Sequence, residues 1–343
     1  MIRFDSDYIE GCHPRILEAL AKTNMEQTAG YGLDEHCEAA RELLRTACAA
    51  PSADVHFLVG GTQTNMTVIG AILRPWEGVI SADTGHINCH ETGAIEGTGH
   101  KVLALPHENG KLTAEQIAKT VYALRHDGNY EHIVQPGMVY ISQPTEYGTM
   151  YTKAELQAIS AVCRENGLPL FMDGARLGYG LAADESLTLP DYATLCDVFY
   201  IGGTKVGFLF GEAVVITNDA LKSDFRNMIK RQGGMLAKGR LLGVQYETMF
   251  EDGLYYEVSR NAIVHARRIR AALLEAGIPL AYDSPTNQLY PILTRSQQAK
   301  LGEKFALGAW DVSGGETDTF RICTSWATTQ ENADALIAAI KSL

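Results

Sequence analysis

Four short apolar segments of this sequence lead directly into residues whose types could carry out chemistry. The residues that follow these segments are Gly60-Gly61-Thr62, His86, Asp173 and Lys205. A deprotonated amine can attack a carbonyl carbon, whereas an imidazole or a carboxylate can move protons or neutralise a cation. The combination favours an enzyme that uses a nucleophilic lysine.

Lys205 follows the apolar run at 198–201 and two glycines, so its amine is expected near the end of a strand. A lysine in a dry pocket has a lowered pKa and can form an imine. Most lysines are solvated surface residues, and an isolated lysine would be interpreted as one of these. The neighbouring candidate residues make the chemical interpretation the favoured one.

Asp173 ends the apolar segment at 168–172, where a buried carboxylate is costly unless it has a cationic partner. The protonated nitrogen of a pyridine ring would be such a partner. The carboxylate would then keep the ring an electron sink for carbanion chemistry. The alternative is a structural salt bridge between Asp173 and Arg176.

Gly60-Gly61-Thr62 precedes a predicted helix, and two glycines there would let backbone N–H groups approach a phosphate. The alternative is an ordinary strand-to-helix turn. His86 could stack on a cofactor ring or lie beside the substrate. Its spacing of four from His90 also permits a zinc site, but the internal glutamate of zinc proteases is missing, and we predict no metal.

Arg321 lies within the apolar stretch at 319–324, where a guanidinium needs an anion. A substrate carboxylate would give bidentate hydrogen bonding. The alternative is an ion pair with an acidic neighbour such as Glu316.

These candidates need a scaffold that brings their loops together. Apolar runs at 55–59, 78–82, 101–105, 138–142, 168–172, 198–201 and 213–217 alternate with helical patterns at 62–73, 113–124 and 153–166. Such alternation predicts an α/β fold with a mostly parallel sheet and helices on both faces. Ligands of such sheets bind beyond the carboxyl ends of the strands, where all the candidate loops would lie.

The pattern changes after about residue 250. We predict a helix at 255–276, a strand at 288–293, a helix at 297–307, a strand at 319–324 and a helix from 330. These elements indicate a smaller C-terminal α+β unit. The sequence therefore predicts a large cofactor-binding domain at 1–250, which includes the N-terminal segment, and a small domain at 251–343.

Composition narrows the classes of function. Asp plus Glu total 41 against 29 for Lys plus Arg, which gives a net charge of −12 and makes nucleic acid and anionic membranes poor partners. No apolar stretch reaches the ~18 residues that a membrane span requires. Seven cysteines without a Cys-x-x-Cys pair, and an N-terminus without an apolar signal region, predict reduced thiols and a cytoplasmic location.

The ordered set of motifs resembles one family, the low-specificity L-threonine aldolases, which have the aspartate-aminotransferase fold (fold type I) and belong to the β-eliminating lyase group. The matching segments are Asp5-Ser6-Asp7, Tyr31-Gly32-Leu33-Asp34, Gly61-Thr62-Gln63-Thr64-Asn65, His86, Asp173-Gly174-Ala175-Arg176, Lys205, Thr286-Asn287 and Phe320-Arg321. The resemblance runs nearly end to end, and the ordered set of motifs is far more specific to this family than any single motif. It implies pyridoxal 5'-phosphate as the cofactor.

Carried over to this sequence, the family's cofactor contacts fall on residues already described. Lys205 would form the Schiff base, and Asp173 would bind the pyridine nitrogen. His86 would stack on the ring. The implied phosphate contacts are Gly61, Thr62 and Thr204, the last in a Gly202-Gly203-Thr204 segment where the family commonly has Leu-Ser.

The resemblance also implies the substrate contacts and the assembly. Ser6 and Arg321 would bind the substrate carboxylate, and Arg176 would assist there or at the cofactor's phenolic oxygen. The family forms homo-oligomers, dimers or tetramers, with shared active sites. Residues that would reach a neighbouring subunit's site are Tyr31 and either Lys238 or Arg240.

The implied reaction is the retro-aldol cleavage of β-hydroxy-α-amino acids to glycine and an aldehyde. Many family members have a histidine where this sequence has Glu146, so the proton acceptor at the β-hydroxyl could be His86, Glu146 or a water molecule that they orient. The alternatives are β-elimination or transamination with the same cofactor and, from another class, a non-catalytic assembly protein. Retention of Lys205, Asp173 and Arg321 together argues against the last.

Overall fold

The computed structural model describes residues 1–343. Its strands are β1 (Ile2–Arg3), β2 (Asp54–Leu58), β3 (Glu77–Ala82), β4 (Lys101–Leu105), β5 (Gln135–Ser142), β6 (Leu170–Asp173), β7 (Val198–Gly202), β8 (Glu212–Ile216), β9 (Gln288–Leu289), β10 (Ile292–Thr294), β11 (Phe305–Ala306), β12 (Gly308–Asp311) and β13 (Thr317–Cys323). Its α-helices are α1 (Pro14–Thr23), α2 (Glu35–Ala47), α3 (Gly61–Ile72), α4 (His86–Cys89), α5 (Ala114–Arg125), α6 (Lys153–Glu165), α7 (Leu177–Ala183), α8 (Leu189–Leu195), α9 (Phe225–Arg231), α10 (Arg240–Phe250), α11 (Leu254–Glu275), α12 (Arg295–Gly302) and α13 (Gln330–Lys341). None of these helices combines the length and the apolar character needed to cross a membrane.

Seven strands form a central sheet in the order β2-β8-β7-β6-β5-β3-β4. Every neighbouring pair in it is parallel except for the two pairs that involve β8. Parallel strands are covered on both faces, which explains their nearly continuous apolar residues. The predicted α/β fold with a mostly parallel sheet is confirmed.

Successive side chains of each strand point to opposite faces of the sheet. On β7, Phe199 and Ile201 pack into one hydrophobic core, whereas Val198 and Tyr200 pack into the other. Helices α2, α6 and α10 cover the first face, and α3 and α9 cover the second. Helices therefore lie on both faces, as the sequence predicted.

The reversed direction of β8 places a short loop at the carboxyl end of β7. Antiparallel neighbours can be joined without a crossover helix, and here residues 203–211 connect the two strands. Lys205 lies in this loop. Because both ends of the loop are held in the sheet, the lysine is fixed at the carboxyl edge.

Two of the predicted helices begin at capping boxes. The Thr113 hydroxyl accepts the N–H of Gln116, whose side chain accepts the N–H of Thr113, and Thr152 and Glu155 repeat the arrangement. A capping box satisfies N–H groups that the first turn of a helix leaves unpaired. Helices α5 and α6 accordingly start within one residue of the predicted positions.

The C-terminal part of the chain has its own core. Strands β9, β10 and β12 all pair in antiparallel fashion with β13. Ile269 of α11, Leu301 of α12 and Leu336 of α13 pack together in this core. This arrangement matches the α+β unit expected from the sequence.

The N-terminal segment packs with this C-terminal unit. Strand β1 pairs in parallel with β11, and Phe4 lies in the C-terminal core. The N–H of Cys323 also donates to the Phe4 carbonyl oxygen at 2.7 Å. The division at 1–250 and 251–343 stays a prediction, and it did not anticipate these contacts of the first residues.

Two C-terminal elements differ from the prediction. The expected strand at 288–293 is split into β9 and β10 by Tyr290 and Pro291, because proline has no N–H to donate to a strand ladder. The expected helix at 297–307 is α12, which ends at Gly302. The residues after it form β11, which depends on pairing with β1 at the other end of the chain.

Candidate active site

The ends of β6 and β7 lie so close together that there is no room for a side chain at Gly174 or at Gly202. A Cβ atom on Gly174 would lie 1.9 Å from the carbonyl oxygen of Tyr200, and one on Gly202 would lie 2.5 Å from that of Ala175. The N–H of Gly202 donates to the Gly174 carbonyl oxygen at 3.0 Å. Glycine at both positions therefore brings together the loops that follow the two strands.

Asp173 is buried at the end of β6, and its carboxylate accepts four hydrogen bonds. The donors are the hydroxyls of Tyr200 (2.5 Å) and Tyr140 (2.6 Å), the N–H of Ala175 (3.0 Å) and the amide of Asn65 (3.3 Å). Burial acts to raise the pKa of Asp173, but the nearby His86 imidazole and these hydrogen bonds hold that pKa below its ordinary value. The carboxylate is therefore ionised and can neutralise a cation.

Arg176 pairs with Asp7. Its Nε and Nη2 atoms donate to the two Asp7 carboxylate oxygens at 2.7 and 3.0 Å, which is bidentate geometry. Burial acts to raise the pKa of Asp7, but the positive charges of Arg176 and Lys205 hold that pKa at about 2. The alternative of a salt bridge between Arg176 and Asp173 is therefore wrong.

Lys205 presents an amine without a protein partner. The Tyr179 hydroxyl fixes its main chain by donating to its carbonyl oxygen at 2.5 Å, whereas Nζ bonds to no residue. Burial and the neighbouring Arg176 guanidinium lower the pKa of the Lys205 amine. A lowered pKa increases the fraction of free amine, which is the nucleophilic form.

A buried carboxylate that the sequence analysis missed lies beside the lysine loop. Glu212, the first residue of β8, is 3% exposed and accepts the N–H of Gly203 at 3.2 Å. The Thr204 hydroxyl accepts the N–H of Gly211 at 3.1 Å. Burial raises the pKa of Glu212 to about 8. Thr204, a predicted phosphate contact, thus also holds the loop together from within.

Arg321 is a partly buried cation that no carboxylate of the chain neutralises. Its Nη2 donates to the Asp5 carbonyl oxygen at 3.0 Å, and its Nη1 donates to the Gln288 side-chain oxygen at 3.4 Å. Its Cζ atom lies 5.5 Å from the centroid of the Trp310 ring. The alternative of an ion pair with Glu316 is therefore wrong, and the guanidinium is available to an anionic ligand.

Several buried polar atoms on this segment and its neighbours have no partner. They are Nε of Arg321, Oγ of Ser6, Oδ1 of Asn287 and Nε2 of Gln288. An unpaired buried polar group costs about 1–3 kcal/mol, so a cluster of them indicates a site for a polar ligand. Ser6 and Arg321, predicted to bind the same carboxylate, are linked through the Asp5 backbone.

His86 begins α4 and lies between two glutamates. Its Nδ1 is 2.8 Å from Oε1 of buried Glu91, and its backbone N–H donates to Oε1 of Glu146 at 2.9 Å. Nε2 bonds to no residue, so it is the ring nitrogen available to a ligand. The centroids of the His86 and His90 rings are 5.5 Å apart, and no group of three or more His, Cys, Asp or Glu side chains is arranged to hold a metal ion.

Glu146 lies beside His86 in a loop that follows β5. Its Oε1 also accepts the Ser142 hydroxyl at 2.7 Å, and its carbonyl oxygen accepts the Tyr290 hydroxyl at 2.6 Å. Burial raises the pKa of the Glu146 carboxyl. The structure therefore brings together the two side chains that the sequence nominated for proton transfer, while their roles stay predictions.

The N-terminus of α3 has no side-chain cap, since Gly60 stands at the capping position. The first N–H groups of this helix are therefore available to an anion such as phosphate. A Cβ atom on Gly61 would lie 3.3 Å from the Tyr200 hydroxyl that donates to Asp173. Gly61 and Thr62 thus lie at the same edge as the Asp173 carboxylate.

Tyr31 and Lys238 lie on an exposed surface of this chain. Tyr31 is 46% exposed, and its N–H donates at 3.1 Å to the carbonyl oxygen of Ala237, which precedes Lys238. Arg240 donates to the Thr23 carbonyl oxygen at 2.5 Å. The expected contacts of these residues with a neighbouring subunit stay predictions.

The groups along this sheet edge fit pyridoxal phosphate. A partly buried amine without a protein partner suits its aldehyde, an ionised carboxylate held by two tyrosines suits its ring nitrogen, and an uncapped helix N-terminus suits its phosphate. The unpaired polar atoms around Arg321 remain for the carboxylate of an amino acid.

Comparison with known proteins agrees with this geometry. A family model described as beta-eliminating lyase matches residues 4–301. The chain belongs to the beta-eliminating lyase family. Membership makes it a pyridoxal-phosphate-dependent lyase, and the cofactor expected from the sequence is confirmed.

This beta-eliminating lyase is similar over its full length to threonine aldolases. It is 31% identical to a low specificity L-threonine aldolase of a Pseudomonas species, over 99% of this chain and 97% of that relative. The solved structure of a Leishmania major threonine aldolase matches with a TM-score of 0.97 and 46% identity, covering 100% of this chain and 99% of that one. An aspartate aminotransferase of Thermus thermophilus matches with a TM-score of 0.71, 16% identity and coverage of 100% and 91%, which shows the shared fold. The resemblance and the type I fold are confirmed.

The site of the lyase also contains residues that the sequence analysis missed. They are Glu91, Tyr140, Tyr200 and Glu212, whereas Asn65 was named as part of a matching segment but given no role. Signals for some of them are present in the sequence. An acid at the start of the apolar run at 213–217, or a tyrosine within a buried strand, needs a hydrogen-bonding partner.

Proposed function

We propose that this lyase cleaves the Cα–Cβ bond of small β-hydroxy-α-amino acids, including L-threonine and L-allo-threonine, to give glycine and an aldehyde. The observation that carries the proposal is a set of three atoms with no protein partner: Nζ of Lys205 at the carboxyl edge of the central sheet, Nε of Arg321 on β13, and Nε2 of His86 at the start of α4. They suit, in turn, the cofactor aldehyde, the substrate carboxylate and the β-hydroxyl.

The cofactor site would be formed by groups already described. Lys205 would hold pyridoxal phosphate covalently between turnovers, and Asp173 would keep its ring nitrogen protonated. The first N–H groups of α3, at Gly61 and Thr62, would bind its phosphate, with Thr204 nearby. When bound, the cofactor supplies an electron sink for the electron pair that is left when a bond to Cα breaks.

The substrate carboxylate would be bound by Arg321 and Ser6, whose Nε and Oγ atoms are buried and unpaired. Two parallel hydrogen bonds from a guanidinium fix the orientation of a carboxylate as well as its position. Arg176 would support this carboxylate site indirectly, because it forms an ion pair with Asp7, the residue after Ser6.

Cleavage also needs a proton acceptor at the β-hydroxyl. Oε1 of Glu146 already accepts the Ser142 hydroxyl and the backbone N–H of His86, whereas Nε2 of His86 is unpaired. His86 would therefore take the proton, directly or through water, and Glu146 would hold the loop that carries it.

The nearest alternatives are β-elimination and transamination. Both begin with removal of the Cα proton, usually by the released lysine, whereas cleavage requires a base at the β-hydroxyl. A base on a loop other than the lysine loop, as His86 is, favours cleavage.

The product mixture tests the proposed reaction. The purified protein, loaded with cofactor, should convert L-threonine and L-allo-threonine to glycine and acetaldehyde, and L-phenylserine to glycine and benzaldehyde, when products are identified by mass spectrometry. L-serine serves as the comparison substrate. Formation of 2-oxobutyrate and ammonia from L-threonine in place of glycine would assign the chain to the eliminating lyases instead.

Replacement of Arg321 by alanine should lower kcat/KM for L-threonine strongly, mainly through KM. Removal of one side of a buried charge pair costs about 2–5 kcal/mol, which corresponds to about 30-fold or more. Arg295→Ala is the matched control, since that arginine belongs to the same unit but is exposed and pairs with Asp318. Steady-state kinetics that show equal effects for the two variants would contradict the carboxylate-binding role.

We also propose that the protein acts in the cytoplasm as a homo-oligomer, a dimer or tetramer with shared active sites. Its seven cysteines are all free, which suits a reducing compartment. Large apolar side chains that stay exposed near the N-terminus are Tyr8, Leu17, Met25, Tyr31 and Leu33. Large apolar side chains left exposed in this way would be covered by a neighbouring subunit.

A further inference from the structure

A continuous chain of buried polar groups connects Asp173 to the His86 ring. Nδ2 of Asn65 donates to Oε1 of Glu91 at 2.7 Å and to Oδ2 of Asp173 at 3.3 Å. The same Glu91 oxygen lies 2.8 Å from Nδ1 of His86. Asn65 and the Glu91 side chain are fully buried, so the carboxyl group that meets Nδ1 is shielded from solvent, although the His86 side chain is 35% exposed.

The direction of each hydrogen bond in this chain follows from its chemistry. The Asn65 amide contacts two carboxylates with one atom, and only its NH₂ group can donate to both. A reversed amide would place its oxygen against two acceptors. Oε1 of Glu91 already accepts from Asn65, and one carboxyl oxygen can accept a second hydrogen bond, so we assign Nδ1 of His86 as the donor in the remaining contact.

We propose that Glu91 is a positioning residue that fixes the tautomer of His86. With the proton held on Nδ1, Nε2 of the neutral ring carries the lone pair and faces the site. Asn65 holds Glu91 in the required orientation and ties it to the carboxylate that meets the cofactor nitrogen. The inference rests on the proposed function, because it concerns the base for the β-hydroxyl proton.

The proton movement that this arrangement supports is balanced within His86. Nε2 accepts the β-hydroxyl proton while the C–O single bond becomes the C=O double bond of the aldehyde and the Cα–Cβ bond breaks, leaving its electron pair on Cα. The ring becomes a cation that the buried Glu91 carboxylate stabilises, and Nε2 later returns the proton. Without an acceptor at Nδ1, the neutral ring can instead place its proton on Nε2, and the site then lacks a lone pair.

The first test measures the tautomer directly and does not depend on turnover. Histidine labelled with ¹⁵N in the full chain, with the His86 signals assigned by their loss in His86→Gln, should show a protonated Nδ1 and an unprotonated Nε2 when the ring is neutral. Glu91→Leu should move the proton toward Nε2. A wild-type ring protonated on Nε2 would overturn the proposal.

The second test uses rescue by a conservative variant. Glu91→Leu removes the acceptor and should lower kcat by about 10²–10⁴-fold, the contribution typical of a general base, with KM changed much less. Glu91→Gln retains an oxygen that accepts from both Asn65 and His86, so it should restore kcat to within about 10-fold of wild type. Equal losses in both variants would show a requirement for the charge alone and would overturn tautomer control.

The pair formed by His107 and Asp83 provides the matched control. Its Nδ1–Oδ1 distance is also 2.8 Å, but the Asp83 side chain is 48% exposed, whereas that of Glu91 is 0% exposed. Asp83→Leu should leave kcat within about 2-fold of wild type, since solvent can replace the lost acceptor. Should Glu91→Leu fail to fold, the wild-type tautomer and the Glu91→Gln kinetics still decide. Failure of the wild-type protein to release glycine from L-threonine would refute the proposed function and leave the tautomer result standing.

Discussion

Replacement of Lys205 by alanine should abolish the cleavage of L-threonine, with a fall in kcat of at least about 10³-fold. The amine has no protein partner, and burial together with Arg176 lowers its pKa, so its place in the fold is that of a nucleophile. Because Nζ makes no structural contact, the variant should retain the native circular dichroism spectrum.

Reduction with borohydride tests whether Lys205 is the lysine that bears the cofactor. It should link the cofactor permanently to Lys205 in the wild-type holoenzyme, and mass spectrometry of the digested protein should find the added mass on the peptide that contains this lysine. Lys119→Ala, which removes an exposed lysine of α5, should behave as wild type. An unchanged covalent adduct in Lys205→Ala would place the cofactor on another lysine.

Replacement of Asp173 by asparagine should also have a large effect, a fall in kcat of at least about 10²-fold. The side chain keeps its shape but loses the charge that holds the ring nitrogen of the cofactor protonated. The four donors to Asp173 show that the fold keeps this carboxylate ionised although it is buried. The absorbance spectrum of the bound cofactor should change with the rate.

Tyr200→Phe separates the charge from its hydrogen bonds. It removes one of the four donors and leaves the carboxylate, so kcat should fall by no more than about 10-fold. Wild-type turnover in Asp173→Asn would mean that the negative charge is not needed. A larger loss in Tyr200→Phe than in Asp173→Asn would give the tyrosine hydroxyl the principal role.

The sheet was predictable from sequence because its signals are local. Each strand is a short apolar run, and each helix between strands has its own start and stop residues, such as Thr152 and Gly167. Strand β11 and its partner β1 were not predictable in this way. Each of these strands has only two residues, too few to carry a pattern of their own, and they are strands only because they pair with each other.

The same distinction separates the parts of the site that were predicted from those that were not. Lys205 and Asp173 follow apolar strands directly, so topology alone places them at one edge. Glu91 carries no comparable signal, because its function depends on Asn65, 26 positions earlier, and on the direction of a short helix. The pairing of Arg176 with Asp7 likewise joins residues 169 positions apart.

The pairing of β1 with β11 has a consequence for how the protein matures during its synthesis. Ser6 and Asp7 leave the ribosome at the start of translation, but the strand and the core that hold them are completed only when residues 305–340 have emerged. The N-terminal segment therefore stays unpaired during the period in which the central sheet can already form. A nascent chain stopped after β8 would contain Lys205 and Asp173 but would still lack Arg321 and the strands that position Ser6. Translation must therefore run almost to its end before the enzyme can bind the substrate carboxylate.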